Sequence, residues 1–143
     1  MAIISVAILA LLVHAIYGLD TAVSVRIRGR LLCEGKPMIF FPIELVEKNI
    51  LFADTVVKRG ETDGDGYFDI SGTIDDWFVG PSPYFHVAHQ CYGDTQNILS
   101  YCHKEFYIYF LREFQNPPNS FSKIYDLGTR EMKSDVHIWN CIF

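Results

Sequence analysis

Apolar and polar residues alternate along residues 23–31, which is the clearest periodic segment of the chain. Odd positions carry Val, Ile, Gly or Leu and even positions carry Ser or Arg, the pattern of a strand with one buried face. The same alternation returns at residues 39–45 and 105–111. A weaker strand is predicted at residues 53–58, and further strands at residues 67–72, 84–91 and 124–127, with a last segment through Trp139.

Turn-forming residues separate these strands at regular intervals. Residues 34–37, 62–66 and 116–119 are rich in Gly, Pro, Asp and Asn, which favour tight turns. Half of the chain is hydrophobic and 15% is aromatic, which supplies a core and argues against global disorder. Seven or eight short strands of this kind predict an all-β fold, an antiparallel β-sandwich of Greek-key type in one domain.

The first fifteen residues, Met1 to Ala15, contain no charged side chain. The run is shorter than the roughly 20 apolar residues that a membrane-spanning helix needs. It has the length of a signal-peptide core and ends in a small residue. We therefore predict a signal peptide over residues 1–15, cleaved near residues 15–18, and a secreted domain over residues 19–143. An uncleaved anchor or a buried core segment is the alternative.

Four cysteines in an exported domain of this size predict two disulfides. Three pairings are open. Cys91 and Cys102 flank a short polar connection between two predicted strands, so we favour a bridge between them. That choice leaves Cys33 to pair with Cys141.

Several fragments follow one another in order along the chain: Gly29, Leu31, Cys33 and Gly35-Lys36-Pro37; Leu45-Val46-Glu47; Thr62-Asp63, Gly66, Phe68 and Gly72; Pro83, Phe85, Val87, His89 and Cys91; Cys102 and Lys104; Tyr125, Leu127 and Gly128; and Cys141. This ordered set resembles nematode transthyretin-like proteins. The chain departs from the family pattern at residues 40–42, Phe-Phe-Pro, which are bulkier than the residues usual there.

This resemblance implies a secreted, transthyretin-like β-sandwich that works outside the cell without enzymatic activity or a cofactor. One alternative is a carrier that holds a small apolar ligand at an oligomer interface. Another is an enzyme similar to the 5-hydroxyisourate hydrolases, which end in Tyr-Arg-Gly-Ser and place His and Arg in a dimer channel. This chain ends Asn140-Cys141-Ile142-Phe143 and has no His beside the Arg residues of its first strand. We expect no catalytic residue.

Two residue clusters contain possible metal ligands. His86, His89, Cys91, Cys102 and His103 are of the types that zinc prefers, but His86 and His89 point to opposite faces of a strand. Residues 63–66, Asp-Gly-Asp-Gly, are similar to the start of a calcium loop but lack its closing Glu. Turn chemistry accounts for the second cluster, and we expect no metal at either.

Three arginines, Arg26, Arg28 and Arg30, share one face of the first strand at a spacing of about 7 Å. The chain carries a formal charge of −5, which argues against nucleic-acid binding. A local cluster of arginines can still bind an anion or an acidic partner. We predict that this stripe contacts an extracellular or cell-surface protein or a lipid head group. A solvated face that discourages edge pairing is the alternative. Tyr107 and Tyr109 form a second candidate contact surface.

Overall fold

The computed structural model of the protein describes residues 22–76, 80–91, 102–134 and 138–141, so the predicted leader lies outside the described residues. The described residues form nine strands in two sheets. The strands are β1 (Ala22–Cys33), β2 (Lys36–Pro37), β3 (Pro42–Glu47), β4 (Thr55–Glu61), β5 (Tyr67–Asp75), β6 (Pro83–His89), β7 (Cys102–Tyr109), β8 (Tyr125–Glu131) and β9 (Ile138–Cys141).

The first sheet is built around β1. Strand β5 pairs with β1 in antiparallel register on one side, and β8 pairs with it in parallel register on the other. The two-residue strand β2 pairs with the end of β1 through a tight turn. Arg28, in the middle of β1, lies opposite Asp69 of β5 and Asp126 of β8. Strand β1 is therefore an interior strand, and its side chains have neighbours on both flanks.

The second sheet has the strand order β4-β3-β6-β7-β9, and all of its pairs are antiparallel. One face of each sheet packs against the other in a continuous apolar core. The Phe68 ring of β5 stacks on the Phe85 ring of β6, with centroids 5.0 Å apart. The predicted antiparallel β-sandwich is confirmed, with the parallel pair of β1 and β8 as its exception.

The disulfide pairing that we favoured from the sequence is wrong. Cys33, at the end of β1, is bonded to Cys91, just beyond β6, so this bridge joins the two sheets. The β6–β7 ladder ends at the pair His89 and Lys104. Had the ladder continued for two residues, Cys91 would lie opposite Cys102. Instead the backbone N–H of Cys91 donates to Nδ1 of buried His89 at 3.1 Å, and Cys91 is buried in the core.

The backbone also bears on the two remaining cysteines. Strands β7 and β9 are in a register that sets Cys102 opposite Cys141. Directly opposed residues of antiparallel strands have Cα atoms about 4.5 or 5.5 Å apart, within the range that a disulfide spans. We therefore expect the second of the two predicted bridges to join Cys102 to Cys141.

One buried carboxylate has an unusual environment. Glu47, the last residue of β3, is 4% exposed, and its Oε1 accepts a hydrogen bond from the Ser82 N–H at 2.9 Å. Among the described residues, its Oε2 is a buried side-chain oxygen with no hydrogen-bond partner. Burial raises the pKa of Glu47; the Ser82 N–H opposes the rise, and the carboxylates of Asp76 and Asp54 add to it. The folded protein therefore holds the Glu47 proton more tightly than the unfolded chain does.

We expect Glu47→Gln to increase the free energy of unfolding at pH 7 by about 1 kcal/mol, because a buried charge without a full set of partners is costly. A carboxyl group whose pKa rises on folding makes stability fall as the pH increases from its unfolded to its folded pKa. The substitution should remove that part of the fall. Denaturant unfolding at pH 3.5 and pH 7 measures both effects, and equal gains at the two pH values would contradict this account.

Among the described residues, no helix is both long enough and apolar enough to cross a membrane.

Candidate functional site on the first sheet

The three arginines lie together on the outer face of β1, as the alternation predicts. The residues between them, such as Ile27, point into the core. From Ile27 to Arg30, β1 is paired with β5 on one side and with β8 on the other, so Arg28 and Arg30 do not protect a free edge. The edge-protection alternative therefore does not account for these two arginines.

Two of the arginines are matched by carboxylates from the neighbouring strands. Arg26 donates from Nε and Nη2 to the two carboxylate oxygens of Asp69, at 2.8 and 2.6 Å. Arg28 donates from Nε and Nη2 to Oδ2 of Asp126, at 3.0 and 2.8 Å. The hydrogen bond from Arg26 lowers the pKa of Asp69, and the hydrogen bond from Arg28 lowers the pKa of Asp126. These two positions are charge-balanced across strands.

Arg30 differs from the other two because no carboxylate of the described residues lies within ion-pair distance of it. Its Nε donates to the backbone carbonyl of Asp65 at 2.8 Å. Its guanidinium carbon lies 4.9 Å from the centroid of the Tyr67 ring, in a cation–π arrangement. The terminal nitrogens of Arg30 have no acceptor among the described residues, which leaves a positive charge available at the surface.

A cleft of about 290 Å³ opens beside Arg30. The cleft lies at an irregularity in the pairing of β1 with β8. The register passes from Arg28 opposite Asp126 to Arg30 opposite Thr129, so β8 contains one extra residue there. The cleft is lined by Arg28, Gly29, Arg30, Tyr67, Phe68, Asp69, Asp126, Gly128 and Thr129.

Glycine is required at this irregularity. Gly128 has a φ of +67°, a left-handed conformation that glycine adopts without strain. A Cβ on Gly29 would lie 2.9 Å from the Cβ of Leu127, closer than side chains pack. The fragment of Tyr125, Leu127 and Gly128 therefore shapes the cleft: Leu127 is buried, and Gly128 accommodates the bulge.

A second concavity of about 490 Å³ lies on the other side of Tyr67. It shares Tyr67, Phe68 and Asp69 with the arginine cleft, so Tyr67 stands as a ridge between the two. Phe40, which is 66% exposed, forms part of its wall. Sequence reasoning identified the arginines but missed Tyr67 and Phe40. The remaining lining residues are Glu61, Thr62 and Asp63.

The Asp-Gly-Asp-Gly segment acts as a turn, as the sequence suggested. Oδ1 of Asp63 accepts hydrogen bonds from the N–H groups of Asp65 and Tyr67, both at 2.9 Å. Thr62 is buried and bonds to the backbone of Met38 and Phe41, which anchors the turn to the segment before β3. The turn sets the position of Tyr67 at the start of β5.

The candidate zinc ligands are dispersed. His86 lies on the outer face of the second sheet, where its ring nitrogens face the carboxylates of Glu44 and Glu105. His89 is buried on the opposite face, which confirms that the two histidines diverge. Cys91 is consumed by the disulfide. Within the described ranges, no group of three or more candidate ligands is arranged to hold a metal ion.

Tyr107 and Tyr109 share the outer face of the second sheet, with Tyr84 of β6 beside them. The Tyr84 ring lies 5.6 Å from that of Tyr107 and 5.2 Å from that of Tyr109. Its hydroxyl donates to Oδ2 of Asp54 at 2.8 Å. Burial raises the pKa of Tyr84, and this hydrogen bond raises it further. Lys48 lies 5.5 Å from the Tyr109 ring centroid. The chain's own side chains already cover much of this face.

The described residues form a disulfide-linked β-sandwich with a surface cleft beside Arg30. A sequence model of the transthyretin-like family matches residues 28–109, and the chain belongs to this family. The matched range contains the cleft-lining residues from Arg28 to Asp69. Transthyretin-like protein 2 of Caenorhabditis elegans is 32% identical over 115 residues, covering 76% of this chain and 74% of that protein. Transthyretin-like protein 5 of the same organism is 30% identical over 128 residues, covering 87% and 88%.

Among solved structures, a 9R-lipoxygenase from Cyanothece overlays 77% of this chain on 16% of its own, with 17% identity and a TM-score of 0.40. That overlap is too loose to inform function.

Proposed function

We propose that the protein is exported and works outside the cell as a non-enzymatic recognition module. Its contact surface is the arginine stripe, Arg26, Arg28 and Arg30, and its target is an anionic group of a cell-surface protein or lipid head group. The observation that supports this proposal best is the environment of Arg30. It lines a cleft, stacks on an exposed tyrosine and has no carboxylate partner among the described residues.

Export is supported by the apolar leader and by the disulfide. Residues 1–15 have the length and polarity of a signal-peptide core. The bond between Cys33 and Cys91 is of the kind that persists in an oxidising compartment. Residues 19–143 would then be the mature domain.

The chemistry of the cleft supports binding of an anion. The two terminal nitrogens of Arg30 present a planar fork that matches a carboxylate or a phosphate. Arg28 borders the same cleft, and its Nη1 is not used in the pair with Asp126. Asp69 and Asp126 hold the neighbouring guanidinium groups in place and leave Arg30 as the uncompensated charge.

The lining of the cleft supports a role without catalysis. General acid–base and nucleophilic chemistry need groups such as His, Cys or an activated hydroxyl converging on one substrate. The residues that line the cleft include neither His nor Cys, and their two carboxylates are both paired with arginine. This arrangement is suited to holding a ligand in place.

A matched pair of substitutions tests the site. We expect Arg30→Ser to weaken binding of inorganic phosphate and of acetate by about tenfold, since a charge-assisted hydrogen bond contributes about 1.5–3 kcal/mol. Arg59→Ser, which removes an exposed arginine of β4 that is paired with Glu44 and lines neither concavity, should change binding less than about twofold. Titration of ¹⁵N-labelled mature protein, followed at the backbone N–H of Gly29 and the side-chain Nε–H of Arg30, measures both variants.

Comparing phosphate, acetate and anionic vesicles distinguishes a protein target from a lipid head group. Vesicles that contain an anionic phospholipid should bind in the same Arg30-dependent way if the target is a head group. Binding should weaken as salt increases, because exposed charges are screened. Equal binding by the native protein and Arg30→Ser, with both variants folded by circular dichroism, would overturn the proposed site.

A further inference from the structure

We propose that the arginine cleft and the concavity beyond Tyr67 form one continuous binding site for an extended peptide segment of a partner protein. The segment carries an acidic side chain, then a bulky apolar side chain, then a basic side chain. The acidic group lies at Arg30, the apolar group packs between Tyr67 and Phe40, and the basic group lies near Glu61 and Asp63. This inference rests on the proposed function and extends it.

The conformation of Phe40 is the first observation. Its φ is +48°, in the left-handed region that bulky residues avoid and that Gly or Asn adopts readily. The side chain is nevertheless 66% exposed, so the fold gains little from burying it. Strained residues of this kind concentrate at binding sites, where the surrounding structure holds them in place. The next residue, Phe41, packs against the core, whereas the Phe40 side chain points out of it.

The aromatic composition of the surface is the second observation. Tyr67 is about half exposed and separates the two concavities, and Phe68 contributes to both. Ile39, next to Phe40, is 55% exposed. Exposed aromatic residues and arginines are the side chains that most often anchor protein–protein contacts. Here both types lie on one surface.

The distribution of charge is the third observation. On the Arg30 side of Tyr67 the surface carries an uncompensated positive charge. On the other side, Glu61 and Asp63 line the larger concavity, and both are exposed. The site is therefore positive at one end, aromatic in the middle and negative at the other end. A ligand of the opposite charge order complements it.

This charge order favours a peptide over an anionic membrane. The carboxylates of Glu61 and Asp63 would repel a uniformly negative surface brought against Phe40. A peptide, in contrast, can place an acidic side chain at Arg30 and a basic side chain near Glu61 and Asp63. Residues two apart in an extended peptide are about 7 Å apart on the same face, which is also the spacing between Tyr67 and Asp69 along β5.

Three pentapeptides test the charge order. We expect Asp-Ala-Phe-Ala-Lys, acetylated and amidated at its ends, to bind more tightly than Asp-Ala-Phe-Ala-Asp or Lys-Ala-Phe-Ala-Lys. Titration of ¹⁵N-labelled mature protein should shift the N–H signals of Gly29, Tyr67 and Phe40 together. Equal binding of the three peptides, or tightest binding of the basic one, would overturn the proposal.

The substitution Phe40→Asn separates a binding role from a structural one. Asn tolerates a positive φ, so the variant should be at least as stable as the native protein while its affinity for the mixed-charge peptide falls about fivefold or more. The control is Phe52→Asn, at the tip of the β3–β4 hairpin, where Phe52 is 81% exposed and lines neither concavity. It should bind like the native protein. A loss of stability in Phe40→Asn without a loss of affinity would overturn the proposal.

Failure of this inference and failure of the proposed function give different results. Phosphate binding that depends on Arg30, together with peptide binding that ignores Phe40, would retain the arginine cleft and reject the extended site. Peptide binding that depends on Phe40 but ignores Arg30 would reject both the assignment of the cleft and the charge order. Anionic vesicles that bind through Phe40 when no peptide binds would also reject the peptide site.

Discussion

Replacing both Cys33 and Cys91 with Ala is expected to reduce the free energy of unfolding by about 4 kcal/mol. The bond closes a loop with a sequence separation of 58. By closing this loop it lowers the chain entropy of the unfolded state, and the loop-entropy relation gives a stabilisation of about 4 kcal/mol. The bond also joins the end of β1 to the end of β6, so its loss frees the two sheets at one end of the sandwich. A loss of this size is a large fraction of the stability of a domain of this length.

Denaturant unfolding of the double variant beside the native protein measures the effect. A comparison variant is Cys102→Ala with Cys141→Ala, which leaves the Cys33–Cys91 bridge in place and removes instead the bridge that we expect between β7 and β9. Mapping of non-reduced proteolytic fragments by mass should show Cys33 linked to Cys91 and Cys102 linked to Cys141. A fragment that links Cys91 to Cys102 would contradict the bridge that the structure shows.

The sequence was sufficient for the strands because their signal is local. Alternation along β1 identifies its buried face from β1 alone, and the turn at Asp63 follows from the conformations that Asp and Gly allow. The disulfide pairing failed because it depends on where the β6–β7 ladder stops. Nothing local to Cys91 indicates that pairing ends at His89 and that the chain then turns toward Cys33.

The candidate site was predictable only in part, for a related reason. The three arginines were visible as a stripe, but Asp69 and Asp126 come from strands 43 and 98 residues away in sequence. Which arginine stays uncompensated depends on those strands, and it proves to be Arg30. The sequence contained one indication of Phe40, because residues 40–42 are bulkier than the residues usual at these positions. Its exposure and its positive φ became evident only in the folded chain.

Gly66→Ala is expected to reduce the free energy of unfolding by more than about 3 kcal/mol, and Gly35→Ala by only about 1 kcal/mol. Both glycines have a positive φ, +81° and +74°, so both substitutions carry the cost of a left-handed conformation, about 1–2 kcal/mol. They differ in space. A Cβ on Gly66 would lie 2.7 Å from the backbone oxygen of Leu31, whereas a Cβ on Gly35 meets no atom within 4 Å.

The clash at Gly66 cannot be relieved by moving a flexible side chain. The oxygen of Leu31 accepts the backbone N–H of Met38 at 3.0 Å, and the oxygen of Gly66 accepts the N–H of Leu31 at 2.9 Å. A shift at Gly66 therefore disturbs the connection between β1, β2 and β5, and it moves the neighbouring Tyr67 that separates the two concavities. Denaturant unfolding of the two variants tests this directly. Equal losses would mean that the turn yields to the added methyl group, and that Gly66 is required only for its backbone conformation.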